Sequence, residues 1–175
     1  MHDDIKAAIR GVPDFPKPGI LFYDVTTLMK DPVAFKKTSD VLYDYAKDKG
    51  ITKVAGIESR GFAFGATLAE RLGAGLVLMR KPGKLPGETV SESYELEYGT
   101  DTIEMHVDAI SSDDVVLLHD DLIATGGTAK AAANLIEKIG ATIAQASFVI
   151  ELTFLPGRAK LEQYDFRSVV QFDSE

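Results

Sequence analysis

Cysteine is absent from this chain of 175 residues, and histidine is rare. Without thiols there is neither a disulfide nor a thiolate metal site, and the composition fits a reducing compartment such as the cytoplasm, where we expect the protein. The few histidines are scattered and no HExxH spacing occurs, so we expect no metal held directly by protein ligands alone. No signal peptide is recognisable, and no apolar run reaches the roughly 18 residues that a membrane-spanning helix needs.

Basic residues are in the minority. Lysine and arginine number 19 against 27 aspartates and glutamates, which gives a formal net charge of −8. Nucleic acids and anionic membranes select basic surfaces, so neither is an expected partner. The Walker A pattern GxxxxGK[ST] and the dinucleotide pattern GxGxxG are absent, which argues against an ordinary nucleotide triphosphatase and a dinucleotide site. A local cluster of basic residues in so acidic a chain is therefore informative.

The most informative stretch that is present is a strand pattern followed by a small-residue turn and a helix pattern. Residues 115–119 are apolar like a buried parallel strand, Asp120 and Asp121 follow, and residues 129–139 have helical periodicity. Between them, residues 125–128 read Thr-Gly-Gly-Thr. A helix start offers unpaired N–H groups and partial positive charge, and glycine lets the backbone approach an anion closely. This order predicts a site for a phosphate monoester at the turn.

The two acids add a second chemical function to that turn. Neighbouring side chains of a strand point to opposite faces, so we expect at least one of Asp120 and Asp121 to face the crevice beyond the carboxyl end of the sheet. A carboxylate repels phosphate but suits sugar hydroxyls or a phosphate-bound Mg²⁺. The residues by themselves thus indicate a phosphorylated sugar as the ligand. The alternative is an ordinary tight turn in which Thr125 or Thr128 caps the helix.

Strand patterns alternate with helix patterns along the chain. We predict strands at 53–57, 75–79, 115–119, 142–152 and 168–172, and helices at 3–10, 31–49, 62–72 and 129–139. The alternation predicts one α/β domain over residues 1–175, with a mainly parallel sheet flanked by helices on both faces. A two-stranded ribbon is predicted at 93–98 and 102–106 as a candidate lid, and residues 20–23 are interpreted as a loop packing on the core.

Two of the predicted strands are followed by basic residues. Arg60 stands at the start of a helix, where a positive charge is unfavourable unless it serves another purpose. Arg80, Lys81 and Lys84 follow the next strand, at the sheet edge that also carries the Thr-Gly-Gly-Thr turn. We interpret these cations as a candidate diphosphate site, and the alternative is a solvated charged surface.

Residues 115–128, VVLLHDDLIATGGT, resemble the motif that binds phosphoribosyl diphosphate (PRPP) in the type I phosphoribosyltransferases. Further segments match the adenine-using members of that family in order and spacing: FPKPGILFYDVTTLMKDP at 15–32, ESRGFAFG at 58–65, RKPGKLPGET at 80–89 and SYELEYGT at 93–100. The resemblance covers nearly the whole chain. It implies a pentosyltransferase, a glycosyltransferase of purine salvage, that transfers the phosphoribosyl group of PRPP to adenine and gives AMP and diphosphate.

The resemblance also implies roles for individual residues. It gives the 5′-phosphate and ribose to Asp120, Asp121, Ala124, Thr125, Gly126, Gly127 and Thr128. It gives the diphosphate to Ser59 and Arg60, in addition to Arg80, Lys81 and Lys84, which the basic cluster already marks as candidates. It implies that Leu21, Phe22 and Leu152 bind adenine, with a hood at about residues 13–30 over the base. Glu97 and Tyr98, in a lid at about residues 85–106, are implied to be catalytic together with Asp120 and Asp121. A Mg²⁺ cofactor held mainly by PRPP and water, and a homodimer, are implied as well.

Three points stay open at the level of sequence. Tyr23 stands where the family usually has an arginine, and tyrosine lacks the charge and the fork of donors. The acceptor base is either adenine or another purine such as xanthine or hypoxanthine, whose oxo group reverses the donor and acceptor demands at that edge. A non-catalytic PRPP-sensing regulator on the same fold is the other alternative, and the net charge of −8 disfavours the nucleic-acid surface it would need.

Overall fold

The computed structural model describes residues 2–95 and 99–174. Its helices are α1 (Asp3–Ala7), α2 (Thr26–Met29), α3 (Pro32–Ala46), α4 (Gly61–Leu72) and α5 (Gly127–Ile139). Its strands are β1 (Arg10–Val12), β2 (Phe22–Asp24), β3 (Lys53–Ile57), β4 (Gly75–Met79), β5 (Thr89–Glu95), β6 (Thr100–His106), β7 (Val115–Ile123), β8 (Thr142–Leu152) and β9 (Phe166–Phe172). A 3₁₀ turn covers Arg158–Leu161. Within the described ranges, no helix has both the length and the apolar character that crossing a membrane requires.

A parallel sheet of five strands forms the centre of the fold, in the order β4-β3-β7-β8-β9. Along β7, Val116 and Leu118 pack into the apolar core that includes α5, whereas Leu117 packs into the core that includes α3 and α4. Burial on both faces explains why these strands are continuously apolar instead of alternating with polar residues. The predicted α/β fold, with helices on both faces of a parallel sheet, is confirmed.

The central strand extends further than its apolar residues predicted. We expected the strand to end at His119 with the two acids beyond it, but β7 continues to Ile123. The reason is the ladder to β8, in which Asp120 is paired with Phe148 and Leu122 with Ile150. Backbone pairing with a neighbouring strand therefore overrides the polar side chains, and it fixes both acids near the carboxyl edge of the sheet.

The N-terminal segment is more ordered than predicted. Residues 20–23 were expected to form a loop, but β2 begins at Phe22 and pairs antiparallel with β1, so that Val12 lies opposite Phe22 and Gly11 opposite Tyr23. Tyr23 is buried, and its ring stacks on Phe172 of β9 at a centroid distance of 3.8 Å. The aromatic contact attaches this small sheet to the C-terminal strand of the central sheet.

The predicted ribbon is present with shifted ends. It consists of β5 and β6, and its register places Tyr94 opposite Asp101. An isolated bridge between Arg80 and Glu104 joins the ribbon to the end of β4. The ribbon is thereby positioned at the carboxyl edge of the sheet, beside the turn at residues 124–128.

Candidate functional site

The Thr-Gly-Gly-Thr turn forms an open pocket at the start of α5. Its volume is about 130 Å³, and it is lined by Asp120 and by residues 122–129. Gly126 adopts the left-handed conformation, with φ 75° and ψ 6°, and α5 begins at the next residue. The first N–H groups of α5 and its dipole thus border the pocket, which favours an anion there.

A second glycine packs directly on this turn. A Cβ atom at Gly126 would lie 2.8 Å from the carbonyl oxygen of Gly157, and a Cβ at Gly157 would collide with the carbonyl oxygen of Ala124. The close approach of the two backbones therefore requires glycine at both positions. Sequence reasoning missed Gly157, because a Pro-Gly pair after a strand indicates only a loop.

The two acids of β7 have different surroundings. Asp120 lines the pocket at the start of α5, and its Oδ1 accepts a hydrogen bond of 2.8 Å from the backbone N–H of Asp121. Burial, together with the neighbouring charge of Asp121, raises the pKa of Asp120 well above its ordinary value. Asp121 is only 4% exposed, and its Oδ2 accepts a bond of 2.6 Å from Nε of Arg60. Burial opposes the charge on Arg60, but Asp121 outweighs it and raises the arginine's pKa.

Each of the predicted diphosphate ligands Arg60, Arg80 and Lys81 is paired with a carboxylate. Arg80 donates to both carboxylate oxygens of Glu58, at 3.1 and 3.3 Å, and the ammonium of Lys81 pairs with Asp101 of the ribbon. Burial of Glu58 works against its charge, but the N–H of Lys81 and the Arg80 guanidinium lower its pKa overall. These cations are therefore collected at one sheet edge.

The loops that follow β3 and β4 bring the remaining diphosphate candidates to the same edge. Ser59 follows Glu58 through a cis peptide bond, and its carbonyl oxygen accepts from the N–H of Phe62 in the first turn of α4. The carbonyl oxygen of Lys84 accepts a bond of 3.2 Å from Nη1 of Arg80, which folds the loop after β4 back on the arginine.

The small N-terminal sheet and Arg60 enclose a second pocket. It has a volume of about 390 Å³ and is lined by Val12, Phe15, Phe22, Asp24, Thr26 and Arg60. The Arg60 guanidinium carbon lies 5.5 Å from the centre of the Phe22 ring, so one arginine reaches both this pocket and Asp121. Leu21 packs against Gly11, and Leu152 is paired with Phe172, the residue that stacks on Tyr23. Of the predicted adenine residues, only Phe22 is among those that line this pocket.

The ribbon contacts the Thr-Gly-Gly-Thr turn through a residue that sequence reasoning did not select. Thr128 Oγ1 donates a bond of 2.9 Å to the hydroxyl of Tyr94, which in turn donates to Asp101 at 3.2 Å. The predicted catalytic residues Glu97 and Tyr98 lie outside the described residues. A tyrosine in an amphipathic ribbon gives no signal of such a contact, because its partners are distant in sequence.

The side chains of the site indicate how it could hold a metal ion. In residues 2–95 and 99–174, no group of three or more His, Cys, Asp or Glu side chains is arranged to hold an ion. What the site offers is the pair Asp120 and Asp121 beside an anion pocket. Two carboxylates fit a hard cation that is coordinated mainly by phosphate oxygens and water.

Comparisons with known proteins agree with one another. The family model described as phosphoribosyl transferase domain matches residues 25–171. An adenine phosphoribosyltransferase from Bacteroides fragilis is 58% identical over 166 residues, which is 93% of either chain. The crystal structure of the enzyme of that name from Thermoanaerobacter pseudethanolicus has a TM-score of 0.94 at 49% identity, covering 97% of this chain and 99% of the other. That from Saccharomyces cerevisiae, complexed with adenine and an imino-altritol bisphosphate, has a TM-score of 0.91 at 41% identity, covering 96% and 97%.

Proposed function

The chain belongs to the phosphoribosyltransferase family, and from this membership we propose that it transfers the phosphoribosyl group of PRPP to adenine, giving AMP and diphosphate in purine salvage. The observation that carries the proposal is the pocket at residues 124–128, bordered by a helix start on one side and by Asp120 on the other. The relative from Bacteroides fragilis and the structure from Thermoanaerobacter pseudethanolicus are both named adenine phosphoribosyltransferase, and this chain matches 93% and 99% of their lengths.

The proposed arrangement of the substrate follows the chemistry of the edge. The 5′-phosphate lies on the N–H groups of residues 125–128, and the ribose hydroxyls lie on Asp120 and Asp121. The anchored phosphate is remote from the reacting bond, so its binding energy serves to fix the orientation of the anomeric carbon.

Diphosphate is proposed to leave towards the cations at the ends of β3 and β4. Arg60, Arg80 and Lys81, together with Ser59 and Lys84, stabilise the charge that develops on it. The side chain of Lys81 is half exposed in its ion pair with Asp101. Exposed pairs contribute only about 0–1 kcal/mol, so exchanging Asp101 for a phosphate oxygen costs Lys81 little. Arg60 keeps its bond to the buried Asp121 through Nε and offers its other N–H groups to the diphosphate.

Magnesium is part of the proposal as a cofactor that is held mainly by PRPP oxygens and water. Asp120 and Asp121 are the protein groups that would face it, and the ion would supply neutralising charge to the diphosphate. We also propose that the protein is a homodimer and that it is located in the cytoplasm, as expected from the sequence. Glu97 and Tyr98 are proposed as catalytic residues, and the ribbon is proposed as a lid.

Adenine is proposed to enter the pocket between Phe22 and Arg60, where an aromatic ring suits the face of a purine. Leu21 and Leu152 belong to the same proposed base site, as the family resemblance implies. Water has to be kept from the ribose centre, or PRPP would be hydrolysed, and this is the duty proposed for the ribbon.

The direct test is an assay of the purified chain with PRPP, Mg²⁺ and one base at a time. We expect adenine to be converted to AMP with release of one diphosphate per AMP, and hypoxanthine and xanthine to react far more slowly. Faster conversion of an oxopurine would replace the proposed substrate while leaving the reaction type intact. Failure with every base would remove the proposed activity.

A further inference from the structure

Glu151, a buried carboxylate, joins three segments at the end of β8. It is 3% exposed, and both of its oxygens accept bonds of 2.7 Å from the guanidinium of Arg158. Ser168 and Gln171 of β9 also donate to it, at 2.6 and 3.0 Å. Burial raises the pKa of Glu151, but these donors outweigh burial and hold it below its ordinary value, so the carboxylate stays charged.

The arginine of this pair is fixed on a second side. Its guanidinium carbon lies 4.2 Å from the centre of the Phe166 ring, and Phe166 stacks in turn on Phe148 at 5.2 Å. A planar guanidinium that bonds a carboxylate with two nitrogens and stacks on a ring has little freedom to move. Arg158 is therefore anchored to β8 and β9 of the central sheet.

Gly157, the residue before this anchored arginine, is the one that packs on the phosphate turn. Its carbonyl oxygen and Cα lie 2.8 and 2.9 Å from the position of a Cβ on Gly126, so the two backbones touch. Gly126 has a positive φ, a conformation that the turn needs in order to direct the start of α5 towards the pocket. A backbone in contact with Gly126 limits the alternatives open to the turn.

From these contacts we propose that Glu151 and Arg158 are positioning residues for the 5′-phosphate site, acting through Gly157 on the turn at residues 124–128. The proposal rests on the proposed function, because it takes that turn to be the phosphate site. Neither side chain touches the ligand. The pair fixes the loop at Gly157, and the loop keeps the turn in the conformation that presents its N–H groups.

The consequence is a selective effect on one part of the substrate. Loss of the Arg158 guanidinium releases the loop, the turn samples other conformations, and only the fraction in the competent conformation binds phosphate. The pocket at Phe22 and the cations after β3 and β4 belong to other segments, and Leu152 of the proposed base site is held by its pairing with Phe172 in the ladder of β8 and β9. Binding of adenine and diphosphate should therefore be preserved.

The test measures ligand binding to the whole chain by calorimetry, with ribose 5-phosphate, inorganic diphosphate and adenine as separate probes. We expect Arg158→Met to weaken ribose 5-phosphate at least about 10-fold and to change the other two by less than about 2-fold. Arg158→Lys, which keeps the charge but not the two-nitrogen geometry, should fall between Arg158→Met and the unaltered chain. If Arg158→Met fails to fold, the comparison of Arg158→Lys with the unaltered chain provides the test instead.

Arg167→Met is the matched control. Arg167 also bonds a carboxylate, Asp165 at 2.8 Å, and also lies near a ring, Tyr45 of α3 at 5.7 Å. It belongs to β9, next to Phe166, but its side chain lies on the α3 side of the sheet and does not contact Glu151 or Gly157 among the described contacts. It should leave all three affinities unchanged. Equal binding of ribose 5-phosphate by Arg158→Met and the unaltered chain would overturn the positioning role alone, as would a uniform loss of all three ligands. No binding of ribose 5-phosphate by the unaltered chain, together with no AMP formation, would overturn the proposed function as well.

Discussion

Arg60 Nε lies 2.6 Å from Asp121 Oδ2, and the same guanidinium is near the face of Phe22. The two residues come from different strand ends, since Arg60 follows β3 and Asp121 belongs to β7. One ion pair thus connects the proposed base pocket with the proposed ribose site. Under the proposed function, the carboxylate of Asp121 would have two roles, since it would hold sugar hydroxyls and would also position the arginine that is proposed to bind the diphosphate.

Replacement of the carboxylate tests that dual role. Asp121→Asn keeps the shape but removes the charge, and we expect kcat/KM for PRPP to fall about 10-fold to 100-fold, which corresponds to about 1.4–2.7 kcal/mol, the range for hydrogen bonds to a charged group. Steady-state assays with varied PRPP measure this. Asp113→Asn, on an exposed turn before β7, is the control and should behave like the unaltered chain. Unchanged turnover in Asp121→Asn would remove this acid from the mechanism.

The close contact at Gly126 gives a second prediction. Gly126→Ala introduces a Cβ 2.8 Å from the Gly157 carbonyl oxygen in a residue with φ 75°, so the turn has to move. We expect KM for PRPP to rise more than about 10-fold and the unfolding free energy to fall by about 1–3 kcal/mol.

Gly50→Ala separates backbone strain from the close contact. Gly50 has φ 64°, and nothing lies within 4 Å of a Cβ placed there. This variant should lose about 1 kcal/mol of stability with no change in KM. A normal KM for PRPP in Gly126→Ala would contradict the proposed position of the 5′-phosphate.

The proposed base pocket can be examined independently of the proposed phosphate site at residues 124–128. Phe22→Ala removes the ring near Arg60, and we expect KM for adenine to rise about 3-fold to 10-fold, the value of one aromatic contact, while KM for PRPP stays constant. Phe22→Leu retains apolar volume without a π face and should show part of the effect. If adenine and PRPP were affected equally, the ring would be supporting the fold and not the base.

The parallel sheet and its edge could be predicted because apolar strands and their polar ends are local features. β3 and β4 have the predicted bounds, and Arg60, Arg80 and the 125–128 turn fall at the same edge, since the carboxyl ends of parallel strands share one edge. The end of β7 could not be predicted, because it depends on pairing with β8.

The residues that sequence reasoning missed are the ones whose partners lie far along the chain. Gly157 contacts Gly126, and Tyr94 accepts from Thr128 and donates to Asp101. A glycine after a proline and a tyrosine in a ribbon do not by themselves predict such contacts, because the contacts arise from the packing of loops on the sheet edge. The two-stranded N-terminal sheet was missed for a similar reason, since β1 and β2 stabilise each other only as a pair.

His119 provides a prediction on stability. The ring is fully buried, Nδ1 lies 3.0 Å from Ser147 Oγ, and Nε2 has no hydrogen-bond partner among the described residues. Burial lowers its pKa from 6.5 to about 4. The unfolded chain therefore binds a proton in a range where the folded chain does not, so this residue's contribution to stability is present above pH 6.5 and is lost as the pH falls towards 4. The loss is about 3 kcal/mol at pH 4.

The measurement is the unfolding free energy from denaturant titrations at several pH values between 7 and 4. His119→Gln cannot titrate at this position. Its unfolding free energy, relative to that of the unaltered chain, should therefore rise by about 3 kcal/mol between pH 7 and pH 4. Asp120, whose raised pKa has the opposite effect on stability, is present in both proteins and cancels in the difference. His106→Gln, in the ribbon and outside the core, controls for loss of a histidine as such. A constant difference between His119→Gln and the unaltered chain would mean that His119 binds its proton equally in the folded and unfolded states, contrary to its burial.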